Sequence, residues 1–441
     1  MIARLIQRLL PKGRFARRLT ILSGGTTLGQ GLLILASPLL TRLFGPEEFG
    51  VLAVFSAIAA ILCQITAFRY EMAIPVCRSD EDAAALAVAG CTTALLVSAL
   101  FAAVLVLFEA PLAATLGIPG FGGVLWFMPP MLLLWGVGLV LAHWGIRCGR
   151  FKINAGGNLA LSASQAVGQV LLGLAGATTA AALVAGYALG SLVRTGLLVR
   201  VLSPADRALL RGVSWTRAAA LARAHWHYPV YSGSSGLLQS TAQMLPAVLI
   251  AVLFGPAAAG WFGLGQRITG MPTRMMAEAA AQAFLAEIAQ AEGPVVYRLF
   301  KRAALRFFLL GLVVLSPLLL VGPPLFALVF GEPWRGTGVI VQILIPLHLV
   351  RFVVLAVAQT INVAGRQHLH LVASLLTAAA LLASFGLGAW LELDLLGTLF
   401  LYSLASTAAF LFYFGCAWHA ARRVARSGPG LAPERTETAA W

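Results

Sequence analysis

The run LTILSGGTTLGQGLLILASPLL (residues 19–40), the joint TRLFGPEEFG (41–50) and the run VLAVFSAIAAILCQITAF (51–68) decide the class of fold. Neither run contains a charged residue. At 1.5 Å per residue, each is about long enough to cross a hydrocarbon core of about 30 Å as a helix. The Gly-Pro of the joint stops one helix and starts the next, since proline fits a helix's first turn and glycine accepts an unusual backbone angle. A membrane strand needs only about ten residues, and a helix satisfies its own backbone groups in lipid, so helices are expected rather than a barrel.

Outward from this stretch the same alternation continues. Apolar blocks at 19–40, 51–68, 84–108, 121–143, 158–174 and 178–198 are followed by 229–254, 257–283, 307–329, 337–364, 369–390 and 395–419. The fifth is the least distinct, separated from the sixth by only a short Ala-Gly-Ala stretch. Of 441 residues, 60% are hydrophobic and 11% charged, against about 25% charged in soluble domains. The mean hydropathy is +0.89. Such a chain cannot clothe water-facing domains, which excludes a soluble enzyme, a disulfide scaffold and a coiled coil. Cys63, Cys77, Cys91, Cys148 and Cys416 form no close pair, so no CxxC metal or redox motif is present. The expected fold is an all-α polytopic membrane protein with twelve transmembrane helices in two six-helix lobes around a central cleft.

The net charge of +15 is distributed by side. With an even number of spans both termini share a side, and 26 of the 31 basic residues fall in the terminal segments and joints of that side, against Arg42 and Arg335 in the opposite joints. The positive-inside rule then places both termini in the cytoplasm. Residues 1–18 form a basic N-terminal segment, 19–200 a first lobe with helices 1–6, 201–228 a cytoplasmic linker, 229–419 a second lobe with helices 7–12, and 420–441 a cytoplasmic tail. A basic inner face meets anionic membrane lipid, and no groove-reading or aromatic-interleaved basic surface points to nucleic acid. The first apolar run is long and leads into eleven more, so it reads as a retained span rather than a cleaved leader. The joints are short and offer little on which to mount catalytic groups, so the chain reads as a carrier, with no catalytic residue, metal or cofactor.

LFGPEEFG (43–50) recurs as LFGPAAAG (253–260), 210 residues later, each at the first outer joint of a six-span half. Matching spacing, side and helix index point to duplication. An even number of spans per unit gives the halves the same orientation.

The spans also carry polar faces. Thr26, Gln30 and Ser37 recur at helical spacing, as do Ser162, Gln165 and Gln169, and Ser232, Ser235, Gln239 and Gln243. Interhelical packing and cavity lining both account for such faces. Pro129, Pro130, Pro246, Pro272 and Pro346 interrupt spans, so kinks are expected there. Arg267 and Arg274 lie seven residues apart in span eight; Arg351 lies in span ten near His348 and, on roughly the same face, Asn362. An arginine at mid-bilayer costs about 2.5–3.5 kcal/mol on insertion scales. Glu278 offers Arg274 a partner one turn away. For Arg267 and Arg351 an aqueous cavity stands against packing, snorkelling or carbonyl pairing. Arginines without membrane acids favour anionic cargo, and Gln, Ser and Thr suit a hydroxyl-rich one. His225, His227, His368 and His370 read as interfacial residues rather than metal ligands.

SPLLTRLFGPEEFGVLAVF (37–55), FRYEMAIP (68–75), FGPAAAGWFGLGQRITGMP (254–272) and FGEPWRGTGVIVQILIPLHLVRF (330–352) resemble the polysaccharide-export branch of the multidrug/oligosaccharidyl-lipid/polysaccharide exporter superfamily. The resemblance implies two lobes working by alternating access in a bacterial inner membrane. The implied cargo is an oligosaccharide on a polyprenyl diphosphate, moved from the inner to the outer leaflet for cell-surface polysaccharide synthesis. On that reading Arg267 and Arg351 attract the diphosphate or acidic sugars, and Arg69 and Glu71 stand at the cytoplasmic entrance as a gate. A polysaccharide polymerase or assembly proteins are conceivable partners. Coupling to H+ or Na+, counter-transport and product pull all stay open. The alternatives are a drug/cation antiporter of the same superfamily, which an intramembrane carboxylate in the first lobe would favour, a peptidoglycan-lipid flippase, and a non-transport membrane enzyme or scaffold.

Overall fold

The computed structural model describes residues 14–118, 120–288, 291, 293–366 and 368–426, and the side chains from residue 24 onward. The basic residues expected before position 14 and Arg435 of the tail lie outside the described residues. The described residues form helices joined by turns, without strands, and divide into two compact units, Met1–Gly263 and Leu264–Trp441.

The first unit contains α1 (Arg14–Leu43), α2 (Pro46–Leu62), α3 (Asp80–Leu116), α4 (Phe121–Leu125), α5 (Met128–Arg147), α6 (Phe151–Leu174) and α7 (Ala180–Arg200). Two short helices, α8 (Pro204–Arg211) and α9 (Trp215–Ala224), follow, then α10 (Ser234–Phe254) and α11 (Pro256–Gly265), which runs two residues past the boundary. The second unit holds α12 (Met271–Ile288), α13 (Pro294–Phe330), α14 (Arg335–Val357), α15 (Gln359–Val363), α16 (His368–Trp390) and α17 (Leu395–Arg426).

Each of the twelve apolar blocks overlaps a helix, and among the described residues eight helical segments are long and apolar enough to cross a membrane. α2, with 17 residues, falls short of that length. Large apolar side chains face outward, among them Leu35, Leu320 and Leu328, as a lipid-facing surface requires.

Helix packing in both units rests on small residues and side-chain-to-carbonyl bonds, the usual means where lipid removes the hydrophobic drive between helices. A methyl group on Gly25 would lie 2.3 Å from the Ala155 carbonyl oxygen, so α1 and α6 are in backbone contact there. Ser98 Oγ donates to the Pro129 carbonyl at 2.6 Å, joining α3 to α5, and Ser240 Oγ to Ala60 at 3.0 Å, joining α10 to α2. In the second unit Ser403 Oγ donates to Ile343 at 2.6 Å, joining α17 to α14.

The two LFGPxxxG segments meet each other. A methyl on Gly50 would fall 1.7 Å from the Pro256 carbonyl oxygen, and one on Gly260 would fall 1.9 Å from that of Pro46. The contact is reciprocal: each proline opens its helix and each glycine, four residues on, admits the other proline's backbone. Two copies of one sequence pattern packed against each other give this arrangement.

Of the prolines expected to kink spans, Pro272 lies just after an irregular π-turn at residues 266–270, and two further breaks fall before prolines not singled out. Helical geometry is lost at Phe108, before Pro111, and at Val321, before Pro323 and Pro324, where a missing N–H and ring clash act on the preceding turn. Pro129 and Pro130 instead open α5, while Pro246 and Pro346 lie within continuous helices.

Candidate functional site

In the second unit, α12 and α14 bring Arg274, His348 and Arg351 around one small cleft, floored by Gly270 and Thr273 and walled by Phe352. The free volume among them is about 10 Å³, room for about one water. Gly270 has no side chain, and a methyl there would meet Gln266 Oε1 and lie 3.4 Å from His348 Cε1. Arg274 Nε donates to Glu278 Oε1 at 2.8 Å, the pair expected from their spacing. Arg351 differs. Among the described residues it makes no hydrogen bond or ion pair, and its guanidinium carbon stands 5.9 Å from the Phe410 ring centre of α17. His348 is buried, with Nε2 unsatisfied.

Arg267 and Asn362 do not line this cleft, and in each case a helix irregularity breaks the count. Residues 266–270 form a π-turn between α11 and α12. One extra residue turns the following face by about 100°, so Arg267 and Arg274 do not share a simple α-helical face. α14 ends at Val357 and α15 begins afresh at Gln359. Asn362 accordingly donates from Nδ2 to Gln359 at 2.8 Å and pairs through Oδ1 with His370 Nε2 at 3.0 Å. His370 also pairs with the Tyr413 hydroxyl.

The glutamines of the first unit divide. Gln169 is wholly buried; its Nε2 donates to the Leu183 carbonyl at 2.9 Å and its side chain packs on Gly186. Gln165, also buried, packs on Gly190. Both sit in the α6–α7 contact. Gln30 and Gln243 are half-buried, and Gln239 is exposed.

Arg69 and Glu71 occupy a turn of unusual backbone. Phe68 and Arg69 both have positive φ, 48° and 60°, a strained setting for non-glycine residues. The Arg69 guanidinium bonds to Gln64 and lies against Gly236 of α10; its Nη1 is 3.9 Å from Glu71 Oε1. Glu71 is 2% exposed with Oε2 unsatisfied. Burial pushes its carboxyl above the usual carboxylate range, opposed only in part by a backbone bond and Arg69.

Other acids near this end are paired. Arg147 meets Asp80 at 2.8 Å, Arg217 meets Glu81 at 2.7 Å and Asp82 at 2.9 Å, and Arg150 meets Asp206 at 2.6 Å. Asp206 also completes a capping box with Ser203 at the start of α8. Burial acts to raise its pKa, but bonds from Ser203 and Arg150 outweigh that and hold it below the usual range.

Thr195 of α7 marks an interhelical position that sequence reading did not single out: its Oγ1 donates to the Leu134 carbonyl at 2.8 Å. Among the described residues, no group of three His, Cys, Asp or Glu could hold a metal ion.

The family model described as "Polysaccharide biosynthesis protein" matches residues 39–338. The chain belongs to this polysaccharide biosynthesis family. The member described here is a multi-pass membrane protein whose fold is that of the multidrug/oligosaccharidyl-lipid/polysaccharide superfamily. It is similar to an inward-facing multidrug resistance MATE family transporter, with TM-score 0.71 and 16% identity over 93% of this chain and 99% of the other. It is similar to the lipid II flippase MurJ in an inward closed conformation, with TM-score 0.69 and 9% identity over 92% and 90%. A transporter of the same superfamily from Pyrococcus furiosus, described as having a binding pocket of reverse polarity, gives TM-score 0.60 and 15% identity over 95% and 98%. No curated protein matches the chain by sequence.

Proposed function

We propose that this polysaccharide biosynthesis family member is a carrier that moves an anionic, lipid-linked saccharide across the bacterial inner membrane, the basic end of the bundle facing the cytoplasm. Arg351 carries the reading: a membrane guanidinium with no counter-charge of its own, beside Arg274 and an unsatisfied His348 nitrogen. Unpaired arginine in a span is costly and marks a ligand path, and its fork matches phosphate oxygens. The small free volume describes a closed site that must widen to admit a head group. Twelve crossings in two lobes, with the linker at 201–228, complete the proposed arrangement. No covalent bond is made or broken, so a binding and release cycle suffices.

Within this class the lipid II flippase likeness supports a diphosphate-linked saccharide as readily as a surface-polysaccharide unit. A second reading, a drug or cation antiporter, draws on the similarity to the multidrug transporter and on buried Glu71, a carboxylate in the first unit. The test is a deletion strain complemented by the wild type or by Arg351→Gln, with lipid-linked saccharides extracted and identified. Accumulation of one diphosphate-linked saccharide, relieved by wild type and not by the variant, is expected. No accumulation, with altered sensitivity to cationic drugs that follows Glu71, would establish the antiporter instead.

A further inference from the structure

The first unit holds a hollow that the site above does not use. Cys91 and Leu95 of α3, Val140 and Trp144 of α5, Leu210 of α8 and Trp215 of α9 surround about 300 Å³ of free space. The cleft at Arg351 has about 10 Å³, and packed interiors seldom hold a void larger than a water. Among the described residues no charged side chain lines the hollow. The Thr92 hydroxyl in its wall already donates to the Val88 carbonyl at 2.8 Å. An ordered water needs about two to four polar partners, so this space suits an apolar chain instead.

Its position fits the depth of one membrane leaflet. Along α3 the lining runs from Ala87 to Leu95, about 10 to 22 Å from the helix start at Asp80. α5 lines it within its last two turns, before Arg147. Leu95 and Trp215 are 54% and 70% exposed, so the hollow reaches the surface of the unit at apolar side chains. α8 and α9 are pinned here by ion pairs: Asp206 meets Arg150 at 2.6 Å, and Arg217 meets Glu81 at 2.7 Å and Asp82 at 2.9 Å. Between those pins Leu210 and Trp215 reach the hollow. Arg211, beside Leu210, is exposed and among the described residues makes no hydrogen bond or ion pair. Residues 201–228 carry Arg207, Arg211, Arg217 and Arg223 against Asp206 as the sole acid. Short basic helices with an exposed tryptophan lie at a membrane surface and draw anionic lipid to it.

We propose that this hollow takes one acyl chain of an anionic glycerophospholipid from the surrounding bilayer, with the lipid's phosphate held at Arg211. The apolar wall selects the chain, and the basic rim selects the charge of the head. A bound lipid supplies contacts that α3 and α5 lack there and fastens α8 and α9 against them. The site needs no cargo, so it stands or falls independently of the proposed function.

The test uses the full chain purified in uncharged detergent and a phosphatidylglycerol with a photoactivatable group on one acyl chain. The phosphatidylcholine of the same chains serves as comparison. Crosslinks should map to residues 87–95, 140–144 and 210–215. Phosphatidylglycerol should label them at least about fivefold more than phosphatidylcholine, the preference that one basic residue near a membrane surface supplies. Arg211→Gln, at an exposed position, should remove the preference and leave labelling by phosphatidylcholine unchanged. Cys91→Phe fills the hollow and should abolish labelling by both lipids; unlabelled phosphatidylglycerol should raise the melting temperature of the wild type and not of this variant. If Cys91→Phe does not fold, the wild-type crosslink map and Arg211→Gln decide the matter. Equal labelling by the two lipids, or a preference that survives Arg211→Gln, overturns the proposal. Absence of label at these residues also overturns it, whether a second copy or another segment of the chain covers them.

Discussion

Replacing Arg351 by methionine should move stability and transport in opposite directions. Arg351 is 16 residues, about 24 Å, from the start of α14 and six, about 9 Å, from its end, so it lies well inside the helix. A guanidinium near a span's centre costs about 2.5–3.5 kcal/mol on insertion scales. The Phe410 ring returns about 0.5–2 kcal/mol through its negative face. The difference is a net cost of about 0.5–3 kcal/mol. Methionine has a similar length, so its substitution should stabilise the ligand-free protein by about that amount. Transport should fall instead, because a charge-assisted contact of about 1.5–3 kcal/mol is lost, roughly 10- to 150-fold in apparent affinity. The assay pairs melting of purified protein with uptake of a diphosphate-linked saccharide at matched membrane levels. A variant that melts earlier and transports normally would refute the reasoning, since Arg351 would then be a packing residue.

Three further outcomes follow from the geometry. Gly50→Ala and Gly260→Ala should each destabilise by about 1–3 kcal/mol or more, and to similar extents, because both methyls strike backbone carbonyls that cannot swing away; a tolerated alanine at either position, read by thermal melting, would deny the reciprocal contact. Asp206→Asn should cost about 1 kcal/mol near neutral pH. The depressed Asp206 pKa gives a contribution that is present above its unfolded value of about 3.9 and lost as the pH falls through the lower folded value, so wild type and variant should converge on melting below about pH 4 and diverge above it. Gln169→Met should change stability by less than about 1 kcal/mol and leave transport intact, as membrane side-chain bonds average about 0.6 kcal/mol; a large transport defect at wild-type stability would make Gln169 part of the cargo path.

Some of this was legible residue by residue. Charge-free runs with Gly-Pro stops locate the helices, because in lipid a backbone has few other ways to satisfy itself. Arg274 and Glu278 at four-residue spacing had to pair. The LFGPxxxG repeat pointed to duplication, although periodicity could not say that the copies touch. Counting along a helix failed where the helix was irregular, at the π-turn carrying Arg267 and at the break between Val357 and Gln359 that carries Asn362 away. The polar faces were equally ambiguous in one dimension. Gln169 serves packing because Gly186 happens to lie opposite it, which no single-helix pattern records.

The central claim, that guanidinium groups within the membrane recognise an anionic lipid head, meets its most direct test in sealed vesicles containing the purified protein. Movement of a polyprenyl-diphosphate saccharide between leaflets would be followed by its accessibility to an external glycosidase, with inorganic pyrophosphate as competitor and an organic cation as alternative cargo. The account predicts leaflet exchange that pyrophosphate inhibits and that Arg351→Gln slows at least about tenfold. Exchange of the cation alone, indifferent to pyrophosphate and to Arg351→Gln, would contradict it.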